Sequence, residues 1–284
     1  MKLITICFVA SLFLLSCQHA TKKTLAVTKP DNIKHSINVQ SVTDTLTIPE
    51  DTIPKIVIPD GTIQVGQNPL DTTNKVKILD AGNIDYNEDI DPKEAKLNWQ
   101  GLFYNKGNFY VKPTRIKIIS QHSQKYDEAN QKTGWQVKCD VKDSCFILIN
   151  GVDNLIKGII KRFPWSGDFY YAGQKKKFNY DGVTYTLYTT GAKRDGKACN
   201  LKLFLMANVK GHNFNQQIES LGECMADDPT SINIGFIGDI DGDKIPDFIT
   251  NVDGYGGGET SVYLSKSAGD DAILKLVAVF TTTG

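Results

Sequence analysis

Asp239, Asp241, Asp243 and Asp247 crowd four carboxylates into the nine residues Asp239-Ile240-Asp241-Gly242-Asp243-Lys244-Ile245-Pro246-Asp247. Like charges at this spacing repel one another unless a cation lies among them, and a donor set made only of oxygen selects a hard cation. Calcium takes six to eight oxygens at about 2.3–2.6 Å. A loop offering side chains at positions 1, 3, 5 and 9 and a carbonyl at position 7 has the donors to wrap one. The expected ligands are the side chains of Asp239, Asp241, Asp243 and Asp247 and the backbone oxygen of Ile245.

The flanking residues decide which kind of loop this is. An EF-hand loop joins two helices and carries a bidentate Glu at position 12, which here is Thr250. The approach Ile232–Ile237 alternates apolar with small or polar residues, and the exit Asp247–Val252 is equally β-prone, so the loop joins strands. With that context, the segment Gly238 to Ile249 resembles the FG-GAP and VCBS-type loops of integrin-like propellers and bacterial surface proteins, which read Gly-Asp-x-Asp/Asn-Gly-Asp-Gly-x-x-Asp-hydrophobic. The resemblance implies Ca2+ as the cofactor. Lys244 stands where that pattern has Gly, and a non-Gly residue at positive φ costs about 1 kcal/mol. The competing reading is a solvated acidic turn, since Asp and Gly are also favoured by turns themselves. A propeller needs at least about four repeated blades, and this chain has one such loop.

Met1-Lys2 and the thirteen-residue run Leu3 to Leu15 form a positive start and an apolar core too short to span a bilayer, the pattern of an export signal. The run closes on Leu14-Leu15-Ser16-Cys17, which looks like a bacterial lipobox, with Cys17 as the lipidated residue. Acyl chains contribute roughly 0.8 kcal/mol per buried methylene, so two or three anchor firmly, palmitate being the usual type of chain. The expected partner is therefore a membrane reached through the lipid, in a bacterial cell envelope. Gln18 after the Cys is compatible with the outer membrane, facing either the periplasm or the surface.

With Cys7 in the signal and Cys17 lipidated, Cys139, Cys145, Cys199 and Cys224 remain. An even count in an exported domain favours two disulfides, of which three pairings exist. Neighbour pairing is expected, and Cys139–Cys145 and Cys199–Cys224 would contribute about 2.4 and about 3.5 kcal/mol in the chain-entropy account.

Between Phe13 and Tyr86 there is no aromatic residue, while five of ten prolines fall there. Residues 17–95 thus read as a lipid-anchored flexible tether, following a signal peptide at 1–16 and preceding a β-rich domain at 96–284. Within the tether Ile48-Pro49, Ile53-Pro54 and Ile58-Pro59 recur every five residues, as a spacer or as an arm that docks on a sheet edge. Hairpins are expected at Leu102–Val111 and at Phe178–Tyr188, the latter around the type I′ pair Asp181-Gly182. Further strands are expected at Arg115–Ile119, Cys145–Ile149, Leu201–Met206, Ile232–Ile237, Phe248–Val252, Ser261–Leu264 and Ile273–Phe280, with short helices at Tyr126–Lys132 and Gln216–Leu221. The fold class is mainly β: antiparallel, sandwich-like or irregular, with few short helices and a disordered N-terminal tether.

Signals for catalysis are thin. His122 and His212 sit in no nucleophile or zinc motif, and Glu219, Glu223, Asp227 and Asp228 are acids that sequence alone does not bring together. Gly254–Thr260 lacks the Gly-Lys-Ser/Thr ending of a phosphate loop, although Asp253 or Glu259 lies near enough in sequence to reach the ion. Lys175–Lys177 in a chain of 32 basic and 32 acidic residues reads as a guard against edge pairing and gives no case for nucleic acid. Phe163–Tyr171 is aromatic enough to pack a core or to stack on a sugar or protein partner. These features together imply a membrane-anchored lipoprotein whose calcium-stabilised β domain is a binding or envelope-structural module with a protein or glycan partner. The alternative is a secreted, calcium-containing hydrolase of glycans or peptides.

Overall fold

The computed structural model describes residues 56–283 except 71–74, 87–88, 124–126, 129–130, 154, 195–196, 223–230 and 255–256. The signal segment, Cys17, the first two Ile-Pro pairs, Glu223, Cys224, Asp227 and Asp228 lie outside the described residues. No helix among the described residues is long and apolar enough to cross a membrane.

The chain is mainly β. Among the described residues seventeen strands run in order: β1 Ile63–Val65, β2 Lys77–Leu79, β3 Gly82–Ile84, β4 Trp99–Asn105, β5 Asn108–Thr114, β6 Ile116–Gln121, β7 Gly134–Cys139, β8 Ser144–Asn150, β9 Gly158–Ile160, β10 Lys175–Tyr180, β11 Val183–Arg194, β12 Lys197–Val209, β13 His212–Ser220, β14 Ser231–Gly238, β15 Asp247–Gly254, β16 Gly257–Leu264 and β17 Lys275–Thr283. They form four sheets, ordered β1-β13-β12-β11-β10, β14-β15-β16-β17, β2-β8-β4-β5-β9 and β3-β7-β6. Every pairing is antiparallel except β1 with β13.

The two expected hairpins form, and their turns explain why. Lys106-Gly107 has φ of 48° and 89°, and Asp181-Gly182 has 48° and 84°. Both residues of a type I′ turn need positive φ, and Gly supplies the second without strain. Lys210-Gly211 makes a third such turn, between β12 and β13. The helix expected at Gln216–Leu221 is instead the end of β13. Tertiary pairing overrides the helical spacing there: Gln216 is buried, and its side chain accepts from the backbone N–H groups of Ile273 and Leu274 and donates to the Leu274 carbonyl. The described part of Tyr126–Lys132 is not helical.

The tether boundary also moves. Residues 56–95 supply β1, β2 and β3, one strand to each of three sheets. β1 lies on the edge of the largest sheet, with Ile63, Gln64 and Val65 opposite Phe214, Asn215 and Gln216. Backbone pairing on a free edge orders a segment that has too few large apolar residues to make a core of its own.

The sheet β14–β17 is the central layer. From its two faces Phe236, Ile249, Val262 and Val277 join one core with Trp99, Leu102, Ile147 and Leu148, while Ile232, Ile237, Phe248 and Tyr263 join another with Tyr185, Leu187, Leu203 and Phe214. A bulge between Ile234 and Phe236 breaks the alternation of β14, so that Phe236 joins the first core and Ile237 the second. A carboxylate is also drawn into the second core. Glu219 of β13 is buried and accepts from the Tyr263 and Thr250 hydroxyls, at 2.5 and 3.0 Å.

Burial holds the Glu219 carboxyl above its ordinary range, and the nearby Glu259 charge pushes the same way. The folded state therefore keeps a proton that the unfolded chain has released. Stability is full below the unfolded value, near pH 4.5, and declines as pH rises through the higher folded value. Glu219→Gln removes this component, so the difference in unfolding free energy between variant and wild type should move in the variant's favour from pH 4 to pH 8. Denaturant titrations at a series of pH values check this.

Candidate metal centre

The aspartate loop is the connection between β14 and β15, and its apolar residues fix it on both sides. Ile240 is fully buried in the first core, and Ile245 packs against the second. The backbone approach is close. A Cβ on Gly238 would stand 2.7 Å from the Phe236 ring and 2.9 Å from the Lys161 carbonyl, so only Gly fits. Gly242 at φ 84° and Lys244 at φ 71° make the two left-handed turns, so Lys244 does take the conformation that its place in the pattern demands. The segment 156–169 covers the outer edge of β14, with Ile156 N–H donating to the Ile240 carbonyl at 2.8 Å and Phe163 N–H to the Ile237 carbonyl at 2.9 Å.

Asp239, Asp241 and Asp247 each bring a carboxylate oxygen within 4.8 Å of the other two. Asp247 is completely buried, and Asp241 is 4% exposed. Asp239 accepts from the N–H groups of Gly242 and Lys244, at 2.6 and 3.0 Å. Asp247 Oδ2 accepts from Ile240 and Asp241 N–H, at 2.6 and 3.2 Å, and its Oδ1 accepts from Ser265 N–H at 2.8 Å. Asp241 Oδ2 accepts from Lys266 N–H at 3.0 Å. Asp241 Oδ1 is buried and has no hydrogen-bond partner.

Asp243 and Ile245, the other two expected ligands, meet a residue that the sequence reading missed. The Ser265 hydroxyl, fully buried at the end of β16, lies 2.9 Å from Asp243 Oδ1, 3.0 Å from Asp247 Oδ1 and 3.3 Å from the Ile245 carbonyl. A hydroxyl carries one proton. Three acceptors compete for that proton, although Asp243 Oδ1 also accepts from Ile245 N–H and Asp247 Oδ1 from Ser265 N–H, both at 2.8 Å. No salt bridge among the described residues reaches any of these aspartates. Nothing in the local sequence signals Ser265, which arrives through the β15–β16 pairing.

The electrostatics follow from this crowding. Burial pushes the Asp241 carboxyl up to about 6, with the Asp243 and Asp239 charges adding to the shift. Burial pushes Asp247 well above its ordinary value, and the Asp241 charge acts in the same direction. Tyr180, whose hydroxyl accepts from Asp239 N–H at 2.9 Å, is raised to about 12 by burial and by the Asp239 and Asp247 charges. The donors in the set are all oxygens. The acidic cluster could therefore hold a metal ion.

Other expected features fall elsewhere. Glu259 accepts from the Ser261 hydroxyl at 3.2 Å. His122 is 3.6 Å from Asp127, but Asp127 already accepts from Ser123 N–H and from the Thr133 N–H and hydroxyl, so it organises a loop. His212 packs edge-on to Phe214. Lys175–Lys177 lie on the edge strand β10, where Lys176 covers the rings of Trp165 and Phe169 at 5.0 and 5.1 Å. Within Phe163–Tyr171 the residues divide: Phe169 is buried, whereas Tyr170 and Tyr171 are exposed. Cys199 is disulfide-bonded. Cys139 and Cys145 are free thiols, not the expected disulfide.

Removing the shared hydroxyl tests that competition. Ser265→Ala should lower the unfolding free energy in the presence of chelator by about 1–3 kcal/mol, since a buried acceptor loses the hydroxyl's proton; urea denaturation measures it. Comparison of the chain with protein-family models, with curated proteins and with solved structures finds no match.

Proposed function

We propose that the loop Asp239–Asp247 binds one calcium ion through Asp239, Asp241, Asp247 and the neighbouring Asp243 and Ile245 oxygens, and that the ion serves folding and not chemistry. The observation that carries this reading is the buried Asp241 Oδ1 with no hydrogen-bond partner, set beside the Asp239 and Asp247 carboxylates. A buried unsatisfied carboxylate oxygen costs on the order of 1–3 kcal/mol, more when charged. A divalent ion supplies the missing positive partner. The burial of Asp241 and Asp247 leaves little room for substrate beside them, which favours a structural ion.

The lipobox pattern Leu14-Leu15-Ser16-Cys17 supports a wider reading: a lipid-anchored envelope protein whose β domain acts as a binding or structural module. The exposed Tyr170 and Tyr171 offer contact surface for a protein or glycan partner.

With free calcium at about one hundred times the dissociation constant, the native state gains about 2.7 kcal/mol. Thermal unfolding should therefore shift upward between excess EDTA and calcium, and Asp241→Asn should abolish most of the shift. Identical midpoints for the wild type in both buffers would sink the calcium reading. In a bacterial host, Cys17→Ser should move the protein from the membrane to the soluble fraction and eliminate labelling by radioactive palmitate; retention of both label and membrane association would overturn the anchor.

A further inference from the structure

The strands β8 and β14 each carry a bulge, and the two bulges meet. In β8 the register against β4 slips between the pairs Leu102–Ile147 and Phe103–Cys145, which leaves Phe146 without an opposite residue. In β14 the slip falls between Ile234 and Phe236, at Gly235. A bulge re-aims the side chain that it frees. The Phe146 ring accordingly reaches the bulge of β14: a Cβ on Gly235 would stand 3.0 Å from its tip, and the ring packs against Phe109 and Phe236 at 5.8 and 6.2 Å between centroids.

A cleft of about 290 Å³ opens beside this contact, lined by Tyr104, Phe109, Ser144, Cys145, Phe146 and Arg162. Its wall is mostly aromatic, with the Tyr104 and Phe109 rings 5.0 Å apart between centroids. Arg162 brings the one cation. Its backbone bridges to Gly238, and its guanidinium lies 4.7 Å from the centre of the Phe109 ring. The Arg162 Nε is buried with no hydrogen-bond partner, and no carboxylate forms a salt bridge with this side chain among the described residues. Asp143, next to Ser144 in the chain, accepts instead from the Tyr110 hydroxyl at 2.5 Å. The cleft thus sets apolar ring faces next to an uncompensated positive charge.

We propose that this cleft is a binding site for a small aryl carboxylate, a free molecule with one aromatic ring and one acid group. The ring lies against the Phe109 and Phe146 side, where offset or edge-on contact between aromatic rings is favoured. The carboxylate accepts from the Arg162 guanidinium, whose planar fork of donors matches it. Volume sets the size. Small-molecule sites run from about 300 to 1,000 Å³, and this cleft stands at the lower limit, which suits one ring on a short chain. Charge sets the class: an amine would place like charge beside Arg162, and an uncharged arene would leave the guanidinium without a counterion.

The test titrates the full chain with 3-phenylpropionate, followed by calorimetry and by amide chemical shifts in NMR spectra. The expected result is saturable binding with a dissociation constant of about 1 mM, ordinary for so small a ligand, and with the largest shifts at Tyr104, Phe109, Ser144 to Phe146 and Arg162. 3-Phenylpropionamide, which keeps the shape and loses the charge, and hexanoate, which keeps the acid and loses the ring, should each bind several-fold more weakly. Arg162→Met, confirmed as folded by circular dichroism, should weaken the acid about tenfold and leave the affinity for the amide as it was. Equal affinity of wild type for acid and amide, or shifts that map away from the cleft, would overturn the site, and hexanoate binding as tightly as 3-phenylpropionate would overturn the aryl class. A peptide with a C-terminal Phe carboxylate that binds where 3-phenylpropionate does not would hand the cleft to a protein chain end and overturn the small-molecule reading.

Discussion

The constraint around which this molecule is arranged is the burial of like charge at the tip of its central hairpin. Sheet β14–β17 is covered on both faces, so the turn between β14 and β15 cannot swing into solvent: Ile240 is held by one core and Ile245 by the other. The carboxylates between and beside these two side chains are drawn inward with them. Backbone N–H groups and the Ser265 hydroxyl answer part of their demand, and Asp241 Oδ1 receives nothing. Apolar packing fixes the loop, and the loop's fixed position creates the electrostatic demand.

The same logic of enforced polar contact recurs at Glu219 and Gln216. Gln216 repairs the unpaired backbone at Ile273 and Leu274, the connection into β17. Glu219 is held by hydroxyls from the central sheet. Both residues come from β13, so that strand joins two layers by polar contacts as well as by the packing of Phe214 and Ile218. Networks of this kind favour one arrangement of the layers over others, because a slipped register strands their members without partners.

Much of this was legible in the sequence because it is local. Hairpin turns declared themselves through Asp-Gly and Lys-Gly pairs, and the metal loop through alternating aspartates between β-prone flanks. What stayed hidden is non-local. Ser265 reaches the loop only because β16 pairs with β15, and no spacing along the chain announces it. Gln216–Leu221 carried a helical pattern, two of whose polar members, Gln216 and Glu219, in fact reach toward the central sheet. Residues 56–95 looked too poor in aromatics to fold, yet short strands borrow their order from an edge that already exists. The thiols at Cys139 and Cys145 were recognisable as neighbours, but their oxidation state is a matter of redox environment and not of spacing.

The two borders of the largest sheet are treated differently. Along β10 the lysines protect it with charge, whereas β13 is sealed only by the three residues of β1. A proteolytic cut after Val65 would release that seal and bare the main-chain donors and acceptors opposite Phe214 to Gln216. Such a fragment would acquire a sticky ladder, and its fate would then depend on concentration, through edge-to-edge self-association of one molecule with the next.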